Sequence, residues 1–175
     1  MHGSVLVRAI ISMNERYDSR KFRMSKETLI GAIGTQLRLL QQSFDVFDEA
    51  VAAHLGMNRT DLRCLDVVLG RGPLPAGELS AAVQLSPAAT TAVIDRLERA
   101  GFVTRGQDPA NRRRVLVTAT AAARDMAERI FEPVGRAGAR ALGRYDAEQL
   151  SLILDFLHTA LDVHRAQTDR IASQS

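Results

Sequence analysis

The sequence has a single cysteine, Cys64, so no disulfide can form within the chain, which agrees with a reducing compartment. Long apolar runs are missing as well. The nearest, over residues 5–11, is interrupted by Arg8, far short of a membrane span, and it lacks the charged leader and long apolar core of a signal peptide. A cytoplasmic location without membrane contact is therefore expected. Catalytic signatures are absent: there is no Gly-x-Ser-x-Gly and no phosphate loop. Gly70 and Gly72 have neither the preceding strand nor the third glycine of a nucleotide fingerprint. The histidines are His2, His54, His158 and His164. His158 and His164 are six apart on a predicted helix, hence on different faces, and do not make a two-ligand clamp. No catalytic residue, metal site or cofactor is expected, and an enzyme is excluded as the leading class.

What is present is an ordinary globular composition, with 46% hydrophobic and 25% charged residues. The length suits one domain, or a domain with an oligomerisation appendage. The net charge of +3 is small but unevenly placed. Residues 1–25 carry five basic and two acidic groups, and residues 96–144 carry eleven basic against five acidic. A basic stretch of this kind is where a polyanion contact would lie. Lysine is nearly absent, Lys21 and Lys26 excepted, so the cations are arginines, whose planar fork suits phosphate and guanine.

The stretch 75–118 organises the chain. Ser86 is a good helix N-cap, and Pro87 fits the first helical position. Thr90, Val93, Ile94 and Leu97 then form one apolar stripe, and Gly101 closes the helix in the left-handed conformation. Residues 76–83 read as a shorter helix, and only Gln84-Leu85-Ser86 separates the two, as a helix-turn-helix requires. Residues 102–105 and 114–118 alternate like two strands around a basic turn over 106–113. Two helices followed by a hairpin predict a winged helix-turn-helix. The fold class is thus mainly α with a small β-hairpin, and DNA binding is the leading function. The recognition helix would be 86–99. Its candidate DNA contacts are Ser86, Pro87, Ala88, Ala89, Thr91, Ala92 and Arg96, joined by Arg112, Arg113 and Arg114 of the wing. Because Ala88, Ala89, Thr91 and Ala92 are short, direct base readout should be thin, with DNA shape and the wing supplying more of the specificity. The same shortness keeps open an alternative, a winged helix that binds protein and has lost DNA binding.

Leu85-Ser86, then Ile94 through Val103 (IDRLERAGFV), then Asp108 through Arg113 (DPANRR) resemble the MarR family of bacterial transcriptional regulators. The likeness covers most of residues 25–165 and is most specific over 95–113. It implies a winged helix dimer that represses transcription and releases DNA when a small-molecule effector or an oxidant acts on it, and the two-fold symmetry of such a dimer predicts an inverted-repeat operator. Two positions depart from the family pattern: Asn111 stands where Asp is usual, and Gln84 stands where glycine is common. In the family the effector pocket lies between the dimerisation helices and the DNA-binding lobe, which makes Phe44, Phe47, His54 and Arg63 candidates here. Peroxide-sensing members carry their reactive cysteine near the start of the first helix, where this chain has Leu37-Arg38-Leu39. Cys64 instead lies within a predicted second helix and reads as a buried structural thiol.

Outside the winged helix, both ends carry coiled-coil-like seams. Ile33, Leu37, Leu40, Phe44, Phe47 and Val51 are spaced 4, 3, 4, 3, 4, and Leu150, Leu154, Leu157 and Leu161 are spaced 4, 3, 4. Such narrow stripes meet other helices, in the same chain or in a partner, and the family resemblance favours a homodimer. The expected organisation is a basic arm over 1–24, a first dimerisation helix over 25–55, the DNA-binding lobe over 56–119 and C-terminal dimerisation helices over 120–170. Pro133, followed closely by Gly135 and Gly138, predicts a kink in the first of these C-terminal helices.

Overall fold

The hydroxyl of Ser25 accepts the Thr28 N–H at 3.2 Å and so opens α1 (Lys26–His54), as serine suits an N-cap. The computed structural model describes residues 25–174, and the basic arm expected over 1–24 lies outside the described residues. The chain divides into two compact units after Ala50. The first is the greater part of α1. Of its predicted seam, Ile33, Leu40 and Phe44 are exposed, and Leu37 and Phe47 are half-buried.

The second unit begins in the last turn of α1 and continues through α2 (Arg59–Arg71), β1 (Leu74–Pro75), α3 (Ala76–Val83) and α4 (Pro87–Arg99). It then runs through β2 (Val103–Asp108), β3 (Asn111–Ala119), α5 (Ala121–Leu142) and α6 (Ala147–Ala172). Local chemistry sets most of these boundaries. Asn58 caps α2: its Oδ1 accepts the Asp61 N–H at 2.9 Å. Thr120 caps α5 by accepting the Ala123 N–H, and its hydroxyl donates to the Gly101 carbonyl at 2.8 Å. Asp146 and Gln149 form a reciprocal capping box on α6. α2 continues through Gly70 and Arg71 and stops at Gly72, where φ is 78°, so the turn starts two residues later than the glycines suggest. α5 stays helical through Pro133.

The sheet differs from the expected hairpin in two ways. It has three strands in the order β1-β3-β2, all antiparallel. β1 is only Leu74-Pro75, paired with Val117 and Leu116, and two residues carry no periodicity to read. The wing strands also extend further than their apolar alternation, which shrinks the eight-residue turn over 106–113 to Pro109-Ala110. Exposed polar residues can pair through their backbones without leaving any alternating pattern.

The core gathers where α2, α3, α4 and the sheet meet. Leu65, Val68, Leu79, Val93, Ile94, Leu97, Val103 and Val117 are all buried there. The inward stripe of α4 is the predicted one, Thr90, Val93, Ile94 and Leu97. Each such leucine or isoleucine withdraws enough apolar surface to favour folding by about 1.5–3 kcal/mol. This core fixes the axis of α4 and the base of the wing.

Candidate nucleic-acid interface

The turn between α3 and α4 is tight for a defined reason. Gln84 takes the left-handed conformation (φ 55°, ψ 44°), and it is the only residue other than glycine with positive φ among the described residues. The Leu85 N–H then reaches back to the Ser80 carbonyl at 3.1 Å, and the Ser80 hydroxyl donates to the Leu85 carbonyl at 2.6 Å. Gln84 thus adopts the geometry that glycine adopts most readily, and the turn needs no glycine to form. Ser86 follows in extended conformation, and its hydroxyl accepts the Ala89 N–H at 3.2 Å. At the far end of α4, the Gly101 N–H bonds to Glu98 and the Phe102 N–H to Leu97, a paired closure with Gly101 at φ 78°.

With its apolar stripe buried, α4 presents Ser86, Pro87, Ala88, Thr91 and Ala92 to solvent, with Ala89 half-exposed. The Thr91 hydroxyl donates to the Pro87 carbonyl at 3.0 Å, so it is left to act as an acceptor. Nothing on the first two turns of this face is longer than threonine. A narrow, nearly smooth helix surface can approach a groove closely and offers methyl groups for contact.

Arg96 does not extend from this face. Its guanidinium grips Asp61 of α2, with Nε 3.2 and 3.0 Å from the two carboxylate oxygens and Nη2 2.6 Å from Oδ1. Asp61 is 4% exposed, and a buried carboxylate requires such a partner. The hydrogen bond to Asp61 raises the Arg96 pKa further. The place expected for a DNA contact is therefore held by an internal ion pair that fastens α4 to α2. Sequence reasoning missed Asp61 altogether, although an acid directly beside the inward Leu62 and near Leu65 was a signal that its charge needed a partner. Arg105 of β2 is a second such residue. Its guanidinium bonds to Asp95 and Glu98 of α4, and its N–H bonds to Glu98 at 3.1 Å, so the wing is tied to α4.

The three wing arginines separate into two kinds. Arg114 Nη2 lies 2.9 Å from Glu78 of α3, and its Nε lies 4.0 Å from Asp108. Arg112 and Arg113 are exposed, and neither guanidinium meets a carboxylate among the described residues. Asn111 serves the wing locally, its Oδ1 accepting the Arg113 N–H at 3.1 Å.

The four effector candidates are not gathered by any described cleft. Phe44 and Phe47 lie on α1 before Ala50, whereas His54 and Arg63 lie in the second unit, both exposed. The one cleft described, of about 310 Å³, is lined by Leu55, Met57, Asp61, Arg96, Arg99 and Phe102 among others, and by none of the four. Cys64 is fully buried in the lobe core. Burial first, and the Asp61 carboxylate second, push its thiol from 9.0 up to about 11. The thiolate is then scarce at neutral pH, and the thiol is a poor redox sensor. Among the described residues no three ligating side chains gather to hold a metal ion, and no helix is long and apolar enough to cross a membrane.

Known proteins share this architecture. A model of the MarR family matches residues 57–115, which hold α2 to the middle of the wing. The chain is 36% identical over 126 residues to the uncharacterized HTH-type transcriptional regulator YcgE of Bacillus subtilis, covering 72% of this chain and 82% of that protein. Among solved structures, a MarR family protein from Bacillus stearothermophilus superposes with a TM-score of 0.58 at 23% identity, covering 83% of this chain and 99% of the other. A point mutant of S. aureus MepR bound to an oligodeoxyribonucleotide superposes with a TM-score of 0.52 at 14% identity, covering 75% of this chain and 96% of the other.

Proposed function

The chain belongs to the MarR family and is a DNA-binding transcriptional regulator, and from that premise we propose that it acts as a homodimeric repressor on an inverted-repeat operator. Residues 56–119 would be the DNA-binding lobe, with 25–55 and 120–170 supplying the dimer interface. The recognition helix would enter the major groove through Ser86, Pro87, Ala88, Ala89, Thr91 and Ala92. Arg112 and Arg113 would contact phosphates or the minor groove. Two-fold symmetry then places half-sites about one helical turn apart.

The observation that carries this reading is the separation of the arginines. Arg96, Arg105 and Arg114 pair with carboxylates, while among the described residues Arg112 and Arg113 at the wing tip meet none. Two neighbouring cations without a partner repel each other and gain from a polyanion, which also releases counterions. The exposed apolar faces of α1 and α6 support the dimer, since a helix apolar on several faces needs cover that one chain leaves incomplete. Release by a small-molecule effector belongs to the same proposal, with Phe44, Phe47, His54 and Arg63 as candidate contacts.

The test is retardation of the DNA upstream of the protein's own gene, measured by fluorescence anisotropy across a salt series. Arg113→Ala should weaken binding and flatten the slope of log affinity against log salt by about one for each lost phosphate contact. If the double variant Arg112→Ala/Arg113→Ala stays dimeric and binds as well as the original, the wing has no part in binding. If the unaltered protein binds no DNA at moderate salt, the protein-interaction alternative takes its place.

A further inference from the structure

We infer that Arg114 is a positioning residue and not a DNA contact: its pairing with Glu78 holds the distorted wing against α3, so that Arg112 and Arg113 keep one direction. The inference rests on the DNA-binding reading for its consequence, but its geometry stands independently. The β2–β3 ladder is regular from Val103↔Ala119 to Gln107↔Val115, and the next pair is Asp108↔Asn111. One step along β2 thus matches four along β3, and Arg112, Arg113 and Arg114 fall in the irregularity without partners across the ladder. Distortions of this kind re-aim side chains, at the cost of the hydrogen bonds that would otherwise fix the backbone.

Side chains supply what the ladder does not. Asp108 Oδ1 accepts the Ala110 N–H at 2.8 Å and shapes the tip, and Asn111 Oδ1 accepts the Arg113 N–H. Both contacts lie within the wing and cannot orient it. Arg114 supplies the contact from this distorted segment to the helix-turn-helix, through Glu78 Oε1 at 2.9 Å, while its Nε faces Asp108 Oδ2 at 4.0 Å. Glu78 sits in the first turn of α3, where the helix dipole favours a carboxylate. With side-chain exposures of 47% and 61%, the pair is too solvated to add much to global stability. It can still restrict a segment that the regular register of the ladder skips. An arginine hydrogen-bonded to Glu78, with a second carboxylate 4.0 Å away, is also a poorer candidate for a phosphate than Arg112 or Arg113.

Glu78→Gln and Arg114→Gln break the same contact with little change of shape, and both chains should fold. If Arg114 only positions the wing, the two variants lose operator affinity by the same factor, about three- to tenfold, and the double variant loses no more than either. The salt slope stays at its original value in all three, because no phosphate contact is lost. Hydrogen exchange of the Arg112 and Arg113 amides should speed up equally in both variants, a readout that needs no DNA. The inference is overturned if Arg114→Gln alone weakens binding and flattens the salt slope by about 0.9 for each lost contact while Glu78→Gln binds as well or better. It is equally overturned if neither variant changes amide exchange. Failure of the unaltered protein to bind any DNA would instead reject the DNA-binding reading, and amide exchange would still decide whether the tether exists.

Discussion

The helix-turn-helix lobe and the terminal helices put the same residue types to opposite uses. In the lobe, Leu65 and Leu79 are 0% exposed and Ile94 and Leu97 1%. On α6, Leu152 is 70% exposed, Leu154 54% and Leu157 46%, and no residue of that helix is buried. α1 repeats the pattern with Ile30, Ile33, Leu40 and Phe44. The lobe therefore closes its core within one chain, whereas the terminal helices leave many of their large apolar side chains exposed among the described residues. Solvated leucine and phenylalanine on this scale mark an interaction surface. The contrast separates the residues that close the lobe's core from those left for the proposed dimer.

The strongest test of that contrast places charge on the open side. Leu154→Asp with Leu157→Asp should cost several kcal/mol of association, because an aspartate buried in an apolar contact lacks compensation. Sedimentation should then show a monomer or an unfolded chain at concentrations where the original protein is a dimer. A dimer of unchanged affinity would exclude this face from the interface.

The corresponding change in the lobe is Leu79→Ala, which leaves a cavity among Leu65, Ile94 and Leu97. It should destabilise the lobe by about 2–5 kcal/mol, read from chemical denaturation, while the protein still sediments as a dimer. Loss of the dimer by this route would show that the two regions fold as one unit, and the comparison would fail.

The two regions also differed in how far their sequence could be read. Helix ends were legible because they depend on neighbours: Ser86-Pro87 and Gly101 each act within a few residues. The inward stripe of α4 was legible for the same reason, since 3.6-residue periodicity is a local property. The ion pairs were not. Asp61 and Arg96 are 35 residues apart, and Glu78 and Arg114 are 36 apart, and which cation meets which carboxylate is decided only when the helices pack. This is why Arg96 and Arg114 read as DNA contacts from charge and position, and why Arg105 was passed over. β1 was illegible because two residues have no period. The wing tip was misjudged because polar strand residues hide their pairing. On α1 and α6 the spacing shows an apolar stripe, but spacing alone names no partner.

The smallest expected effect concerns the lobe's one local strain. Gln84 holds φ 55° at the end of α3, a conformation that costs a residue with a Cβ roughly 1–2 kcal/mol. Glycine would escape that cost but would enlarge the unfolded ensemble, at about 0.4–1 kcal/mol. Gln84→Gly should therefore stabilise the lobe by roughly 0.5 kcal/mol, measurable by denaturation on the Leu154→Asp/Leu157→Asp background if that chain folds as a monomer. Gln84→Asn should fall between, because asparagine tolerates the left-handed region better than glutamine. Gln84→Val should be the worst of the series, since branching at Cβ crowds the same carbonyl. The order Gly, Asn, Gln, Val would show that backbone conformation alone sets stability at this turn. If glycine lowered stability instead, the Gln84 side chain would have to contribute more than the strain costs, and the turn would owe its shape to that side chain and not to the Ser80–Leu85 bonds.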